Sequence, residues 1–455
     1  SPLNQRSNPS FPELDRNLAN SSIYFTLLNQ VTPWESPAAG FLGGIVLHEA
    51  PGNILTGCRV SGNGSDGIRV IGNAAGTSLV SNICGDRLAS HSLRNAGHGI
   101  SLECDLAVLR DNETHRNLRS GVFVRGVRNE IRGLRSSGNG ECGVHCEGRE
   151  TLVGGSSFAD LGQIFSNPTG ILLRAPTIAV SFTPGANLIY GNLIGGEQPS
   201  DPGRPIPRPN LRGIHIASSS NNQIGGDIRS GKRNMIINNH LEGILVTGGS
   251  GNRLYGNAYA RNGRLDIDLS SRLDGDGIDT ADPGGPREGG NLKLNAPILR
   301  QAVQDEDRLQ ITGELPGLSP GPYNLELVIS EPGLVPSSVQ FSGMISLNHL
   351  SSLLPFTFEL LTSRNLRGTH MRASITDSSQ NTSEYSPWIR IEGSVDGDGD
   401  GVSDAVEDMH TPAGRPGSGD ANGDGILDSQ QSEVVSFPTL LSGSLSLAAS
   451  PAVSL

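Results

Sequence analysis

Hydrophobic positions in this chain recur in short alternating runs, and the runs themselves repeat. A Gly-[Ile/Val]-x-[aliphatic] unit appears as Gly44-Ile45-Val46-Leu47, Gly67-Ile68-Arg69-Val70, Gly99-Ile100-Ser101-Leu102 and Gly121-Val122-Phe123-Val124. It continues as Gly143-Val144-His145-Cys146, Gly170-Ile171-Leu172-Leu173, Gly213-Ile214-His215-Ile216 and Gly243-Ile244-Leu245-Val246, with Asp266-Ile267-Asp268-Leu269 as a degenerate last copy. Successive glycines are 23, 32, 22, 22, 27, 43 and 30 residues apart, so the base period is 22 to 23 and the larger gaps are inserted loops. A second half-repeat lies between these units, as in Asn53-Ile54-Leu55-Thr56-Gly57, Asn129-Glu130-Ile131-Arg132-Gly133, Asn187-Leu188-Ile189-Tyr190-Gly191 and Asn252-Arg253-Leu254-Tyr255-Gly256.

Alternation at period two is a strand pattern: Ile214 and Ile216 share one face while His215 between them points to the other. A strand this short with one apolar face is not stable alone. Stacking such strands in register, about 4.8 Å apart, turns each aliphatic residue into a rung of a continuous column. Glycine and asparagine are expected at the turns because they tolerate the left-handed backbone region. About nine or ten coils would extend roughly 45 Å. A leucine-rich array would need its leucine-asparagine consensus, and a propeller a period of about 40 residues; the chain has neither pattern.

The expected fold is all-β, a right-handed parallel β-helix followed by a small antiparallel β-sandwich and calcium-binding loops. The Asn-x-Ile-x-Gly-Asn and Gly-Ile-x-Ile alternation, with Ile-Gly-Gly turns at Ile194-Gly195-Gly196 and Ile224-Gly225-Gly226, resembles the right-handed β-helix repeats of bacterial surface and carbohydrate-associated proteins. The expected segments are an N-terminal cap or assembly segment at 1–40, the β-helix at 41–297, the sandwich at 298–394, tandem calcium loops at 395–433 and a terminal strand or anchor start at 434–455.

After the last repeat the pattern changes to longer strands at Leu309 to Gly313, Tyr323 to Ile329, Phe356 to Leu361, Met371 to Thr376 and Trp388 to Ile391, which predict a compact antiparallel sandwich. Its ending, Thr382-Ser383-Glu384-Tyr385-Ser386, resembles an immunoglobulin-like module, which implies a spacing or docking role.

The strongest chemical motif follows. Asp396, Asp398, Asp400, Asp404 and Glu407 occupy positions 1, 3, 5, 9 and 12 of a calcium loop, with Gly401 at position 6 and the Val402 carbonyl at position 7. Asp420, Asn422, Asp424, Ile426, Asp428 and Gln431 repeat that frame around Gly425. Calcium takes six or more oxygens at about 2.4 Å, and odd-numbered side chains around a tight glycine turn can converge on one ion. Gln431 replaces the usual acidic twelfth ligand, so the second site is expected to be weaker. The incoming segment from Trp388 reads as a strand, so the loops resemble those of thrombospondin type 3 or dockerin-like modules, and Ca2+ is expected to stiffen this segment.

Charge sharpens this picture. The net charge is -12, and ten acidic residues lie between Asp396 and Glu433 against the single cation Arg415, so the remainder is nearly balanced. No basic stripe argues for nucleic acid, and no apolar run approaches the roughly 20 residues of a membrane span. Cys58, Cys84, Cys104, Cys142 and Cys146 follow no metal spacing and are expected as thiols packed in the repeat. A chain opening on Ser1 is expected to be a processed or truncated product of an exported precursor, extracellular or on the cell surface. The stretch through Ser436-Phe437-Pro438-Thr439 resembles the start of a choice-of-anchor sorting region. Residues 439–455 and the apolar Ile23 to Val31 segment could pair with another subunit by strand addition, or serve as a local strand and a cap.

Catalysis receives weaker support. Gly97-His98-Gly99 resembles one motif of pectin-degrading glycosidases, but the chain has no Asp-Asp pair or Asn-Thr-Asp to supply their carboxylates, and no Asp-Pro-His of alginate epimerases. His98 is expected as a turn histidine beside a rung, and His115, His215 and His240 as solvated histidines; nothing local singles out Lys232 or Arg233 as a base. The leading expectation is an extracellular calcium-binding structural or adhesive protein, self-assembling or binding glycan through its outward residues. The alternative is a polysaccharide-active enzyme, a lyase, hydrolase or epimerase, with a groove at the insertions near 71–95 and 196–210. Aromatic and acidic side chains along one face would favour sugar handling.

Overall fold

The computed structural model describes residues 23–25, 43–86, 93–199, 204–272, 274–279, 288–305, 307–330, 339–349, 356–393, 404 and 426–431. The chain divides into two compact units, Ser1–Leu245 with Asn262–Arg264, and Val246–Arg261 with Leu265–Leu455. Among the described residues, no helix is long and apolar enough to cross a membrane.

The first unit is a parallel β-helix. Each coil contributes one strand to each of three sheets, as Asp66–Ile71, Ser78–Val80 and Ile83–Gly85 do before the chain returns to the first sheet at Ile100–Glu103. The preference of consecutive parallel strands for one crossover hand makes the coil right-handed. The register aligns the repeat as the sequence pattern requires. Ile45, Ile68, Ile100, Val122, Val144, Ile171 and Ile214 form one column, and Leu47, Val70, Leu102, Val124, Cys146, Leu173 and Ile216 form the next. Leu55, Leu79, Leu109, Ile131, Val153, Ile189 and Ile224 build the second sheet's column. These side chains are buried, and each contributes about 1.5–3 kcal/mol relative to exposure. All five cysteines are free thiols; four are buried, with Cys146 in the aliphatic column, and Cys58 is half-buried. Burial pushes the Cys104 and Cys142 thiols up to about 12 and Cys146 to about 11, which keeps them protonated and inert.

The half-repeat glycines Gly57, Gly133, Gly191 and Gly256 take the left-handed region expected at the turns (φ 60–68°), and two further devices make the coil, at the glycines of the Gly-[Ile/Val] unit and at asparagine. The glycines of that unit are not in the left-handed region. They are required by close approach: a Cβ on Gly143 would lie 2.7 Å from the Gly170 carbonyl oxygen and 2.4 Å from Ile164 Cγ2. Asparagine works through its side chain. Asn63, Asn95, Asn117, Asn139, Asn167, Asn210, Asn239 and Asn262 form a ladder in which each Nδ2 donates to the next Oδ1 at 2.8–3.2 Å. The left-handed residue is the one just before, Arg116 (φ 50°), Gly138 (φ 67°), Ser166 (φ 56°) or Asn238 (φ 57°). A non-glycine residue there costs about 1–2 kcal/mol.

At the start of the first sheet, Ile23–Phe25 pairs antiparallel with Gly43–His48, Ile23 opposite Leu47. This part of the segment considered for subunit pairing therefore occupies an edge of its own chain's sheet, as a cap does. Residues 439–455 lie outside the described residues.

The second unit contains the last coil, Arg253–Tyr255, Ala258–Ala260 and Ile267–Leu269, and two four-stranded sheets. One sheet is ordered Phe356–Leu361, Arg308–Glu314, Ile298–Asp305, Glu392–Gly393; the other is Val339–His349, Gly321–Ser330, His370–Thr376, Ile389–Arg390. Leu299, Leu309 and Ile311 from the first pack with Leu325, Leu327, Met371 and Ile375 from the second in one core. The pairing is antiparallel except between Ile298–Asp305 and Glu392–Gly393, which run parallel. Thr382, Ser383 and Glu384 are buried. Thr382 Oγ1 accepts the Leu254 N–H at 2.9 Å, and Glu384 Oε1 accepts the Leu269 N–H at 2.9 Å, so sandwich side chains satisfy backbone donors of the last coil.

Candidate functional site

The third sheet of the first unit carries a concave site. Its strands Glu113–His115 and Arg135–Ser137 pair in parallel, Glu113 opposite Arg135 and His115 opposite Ser137. Alternation sends Thr114 and Ser136 into the core, where their hydroxyls bond at 2.9 Å, and leaves Glu113, His115, Arg135 and Ser137 on the outer face. The next coil adds Phe165 at the end of Gly162–Phe165. The insertion after Ile194 forms an antiparallel hairpin, Gly196–Glu197 with Ile206–Pro207, which brings Glu197 and, just beyond it, Arg208 to the same place. The result is a cavity of about 360 Å³ lined by His115, Arg116, Arg135, Ser137, Gly138, Phe165, Ser166, Glu197 and Arg208.

Its electrostatics are cationic: three guanidinium groups face one carboxylate among the lining residues. Glu197 Oε1 accepts from Arg135 Nη2 at 2.5 Å and its Oε2 accepts from Arg208 Nε at 3.0 Å. Partial burial opposes ionisation of Glu197, but the two guanidinium groups outweigh it and hold the carboxyl below its ordinary value. Arg135 also lies over the Phe165 ring, 5.0 Å from its centroid. Arg116 donates from Nη1 to the Asp86 carbonyl at 2.9 Å, so both insertions suggested by the repeat gaps, 71–95 and 196–210, reach this groove.

His115 departs from the sequence expectation of a solvated residue. It is 5% exposed, with Nε2 2.8 Å from Glu113 Oε2 and Nδ1 2.9 Å from Ser137 Oγ. The sequence signal was present but unread: Glu113 and His115 stand two apart on one face, and Ser137 follows one 22-residue coil later. His240 is exposed and His215 is half-buried.

Aromatic and acidic side chains also line the first sheet, but they are closed on one another. The His98 and Phe123 rings stack at 4.9 Å, and Phe123 meets His145 edge-on at 5.2 Å. Beside them runs an ion-pair ladder, Arg69 to Glu103 (2.8 Å), Glu103 to Arg125 (3.2 Å) and Arg125 to Glu147 (2.7 Å). Phe123, His145 and Glu147 are all buried. Burial, followed by the nearby Arg119 charge, pushes His98 down to about 3; the neutral ring accepts the Ser120 N–H on Nδ1 at 3.2 Å. His98 is thus a structural residue beside a rung.

Of the expected calcium ligands, Asp396, Asp398, Asp400, Val402, Glu407, Asp420, Asn422 and Asp424 lie outside the described residues. Asp404, Ile426, Asp428 and Gln431 are described. Asp428 is buried at the start of the 3-10 turn Asp428–Gln430, and Gln431 Nε2 donates to the Ile426 carbonyl at 3.2 Å.

No family model and no curated protein matches this chain. Among solved structures it is similar to the enzymatically active domain of bacteriophage CBA120 tailspike protein 2, with a TM-score of 0.26 and 10% identity over 72% of this chain and 66% of that one. It is also similar to a tailspike protein of the Acinetobacter baumannii bacteriophage Fri1, a capsular polysaccharide depolymerase, with a TM-score of 0.24 and 11% identity over 72% of this chain and 69% of that one. Likeness at this level carries no argument about function. The strand register establishes the β-helix.

Proposed function

We propose that this chain is an exported glycan-binding β-helix whose third-sheet groove holds an acidic saccharide, and whose carboxy-terminal loops are stiffened by calcium. One observation carries the reading: Arg116, Arg135 and Arg208 converge on a single open cavity in which Glu197 is the one lining carboxylate. A guanidinium group offers paired donors in a fixed fork that matches a carboxylate or sulfate, and its flat face packs against a sugar ring as readily as against Phe165. The Ser137 hydroxyl and the His115 edge add the small number of directional polar groups that fix a bound sugar. The first-sheet face offers less, because Phe123, His145 and Glu147 are buried against one another.

The test is isothermal titration of the full chain with uronate-containing oligosaccharides and with neutral ones of equal length. Acidic oligomers are expected to bind with an affinity that falls as salt rises, and Arg135→Ala and Arg208→Ala to weaken binding about tenfold each. If the wild-type chain takes up neither kind, or takes up neutral oligomers equally well, the acidic-glycan reading fails.

Calcium belongs to the same proposal for the 395–433 segment. Two tandem frames with oxygen donors at positions 1, 3, 5, 9 and 12 support it.

A further inference from the structure

His115 is joined on both ring nitrogens to groups of opposite chemical use. An ionised Glu113 can only accept, so the hydrogen sits on Nε2 and points to Glu113 Oε2, 2.8 Å away. That leaves the Nδ1 lone pair facing the Ser137 hydroxyl at 2.9 Å. A hydroxyl, an imidazole and a carboxylate in this order form a nucleophile, its base and the group that orients the base. In the familiar arrangement Nε2 serves the hydroxyl and Nδ1 the carboxylate; here the two nitrogens exchange places. The chemistry requires only that nucleophile and carboxylate occupy opposite nitrogens.

The fold fixes this alignment through backbone register. His115 and Ser137 are paired positions on adjacent parallel strands, and Glu113 is on the same face two residues before His115. His115 and Ser137 both line the open groove. His98 and His145 at the first sheet lack this combination. His98 spends Nδ1 on the Ser120 backbone N–H, and His145 is buried against Phe123 with Nε2 3.4 Å from Glu147.

We propose that Ser137, His115 and Glu113 cleave ester substituents, such as O-acetyl groups, from the saccharide held in the groove. The substrate class rests on the glycan reading above. Ser137 Oγ attacks the ester carbonyl carbon as its proton passes to His115 Nδ1. The carbon–oxygen bond to the sugar breaks, its electron pair stays on the sugar oxygen, and that oxygen takes the proton from His115. Water then adds to the acyl carbon, giving one proton to His115, and Ser137 Oγ departs and recovers that proton. The products are a free sugar hydroxyl and a carboxylic acid, so no oxidant or metal is needed. The transient oxyanion forms in a cavity lined by the guanidinium groups of Arg116, Arg135 and Arg208.

The decisive experiment treats the folded full chain with a fluorophosphonate, which labels serines activated by a base, and maps the adduct by mass spectrometry. Labelling is expected at Ser137, absent in Ser137→Ala, and slowed about a hundredfold in His115→Gln. Release of acetate from an O-acetylated uronate oligosaccharide should follow the same order. Glu113→Gln should shift the pH profile of labelling, in a site whose other charges are Arg116, Arg135, Glu197 and Arg208; a merely structural Glu113 would leave it unmoved. Circular dichroism of each variant confirms the fold. No adduct at Ser137 in the wild type, or an unchanged rate in a folded His115→Gln, overturns the proposal. Saccharide binding by Ser137→Ala separates the two readings: binding without wild-type labelling sinks the esterase alone, while labelling without binding sinks the glycan assignment and with it the proposed substrate.

Discussion

Asn117 gives both its backbone N–H (3.1 Å) and its Nδ2 (2.9 Å) to the single Oδ1 of Asn139. Asn139 in turn donates from Nδ2 to Asn167 Oδ1 at 3.1 Å and to Ser136 Oγ at 3.1 Å, and it is 2% exposed. Asn139→Ala strands the Asn117 N–H without a partner. Asn139→Asp keeps the acceptor but loses the donors and buries a charge. Each unsatisfied buried group costs about 1–3 kcal/mol, so both variants should lower the denaturant midpoint, while Asn73→Ala on the surface should not. Equal midpoints for all three would show that the ladder contributes nothing.

Gly143→Ala should destabilise by about 1–3 kcal/mol, because its new methyl meets the Gly170 carbonyl oxygen at 2.7 Å and that backbone cannot retreat without opening the next coil. Gly64→Ala, where nothing lies within 4 Å, should stay within about 0.5 kcal/mol of the parent. Thermal denaturation of the two variants decides it; similar losses would mean that chain flexibility, and not close approach, explains the repeat glycine.

Glu384 should make stability fall as pH rises. Burial pushes its carboxyl up to about 8, against the pull of the Asp279 and Leu269 backbone N–H groups and with help from the Asp279 and Asp268 charges. The folded chain therefore holds this proton more tightly than the unfolded chain does. The resulting stability is complete below the ordinary value of 4.5, declines between 4.5 and about 8, and is gone above that. Glu384→Gln stays neutral throughout and should flatten this component when unfolding is measured across that window. A parallel pH dependence in parent and variant would exclude it.

Calcium should protect residues 395–433 from proteolysis, and a chelator should remove that protection. Asp398→Ala and Asp424→Ala should each abolish one binding event in titration calorimetry. Gln431→Glu should tighten the second site by restoring the acidic twelfth ligand. Two sites that are unchanged in Gln431→Glu, or no heat at all, would sink the loop assignment.

The β-helix was legible because its signal is local and repeated: Ile68, Ile100, Val122 and Val144 each follow a glycine, and a period near 22 stacks them in one column. The left-handed turns at Gly57, Gly133, Gly191 and Gly256 were legible, but a strand pattern does not reveal how near the next carbonyl comes to Gly143 and its counterparts. The main asparagine ladder was also missed, although Asn95, Asn117 and Asn139 each precede a repeat glycine by four residues. The groove was half legible. Its wall followed from the long gap before Gly213, but the contact of His115 with Glu113 and Ser137 depends on the cross-coil register of polar positions, which the apolar alternation does not convey. The burial of Thr382 and Glu384 was not legible, because their side chains accept from backbone donors more than a hundred residues away, those of Leu254 and Leu269.

The direction of the amide column from Asn63 to Asn262 has a further consequence. Every rung gives from nitrogen toward the higher-numbered coil and receives on oxygen from the lower, so the individual moments add like magnets laid end to end. The column is in effect a small electret, with its positive pole at Asn262 and its negative pole at Asn63. Reversing one amide would set two oxygens against each other on one side and two nitrogens on the other. Polarity is therefore a property of the whole stack, shared by all of its members.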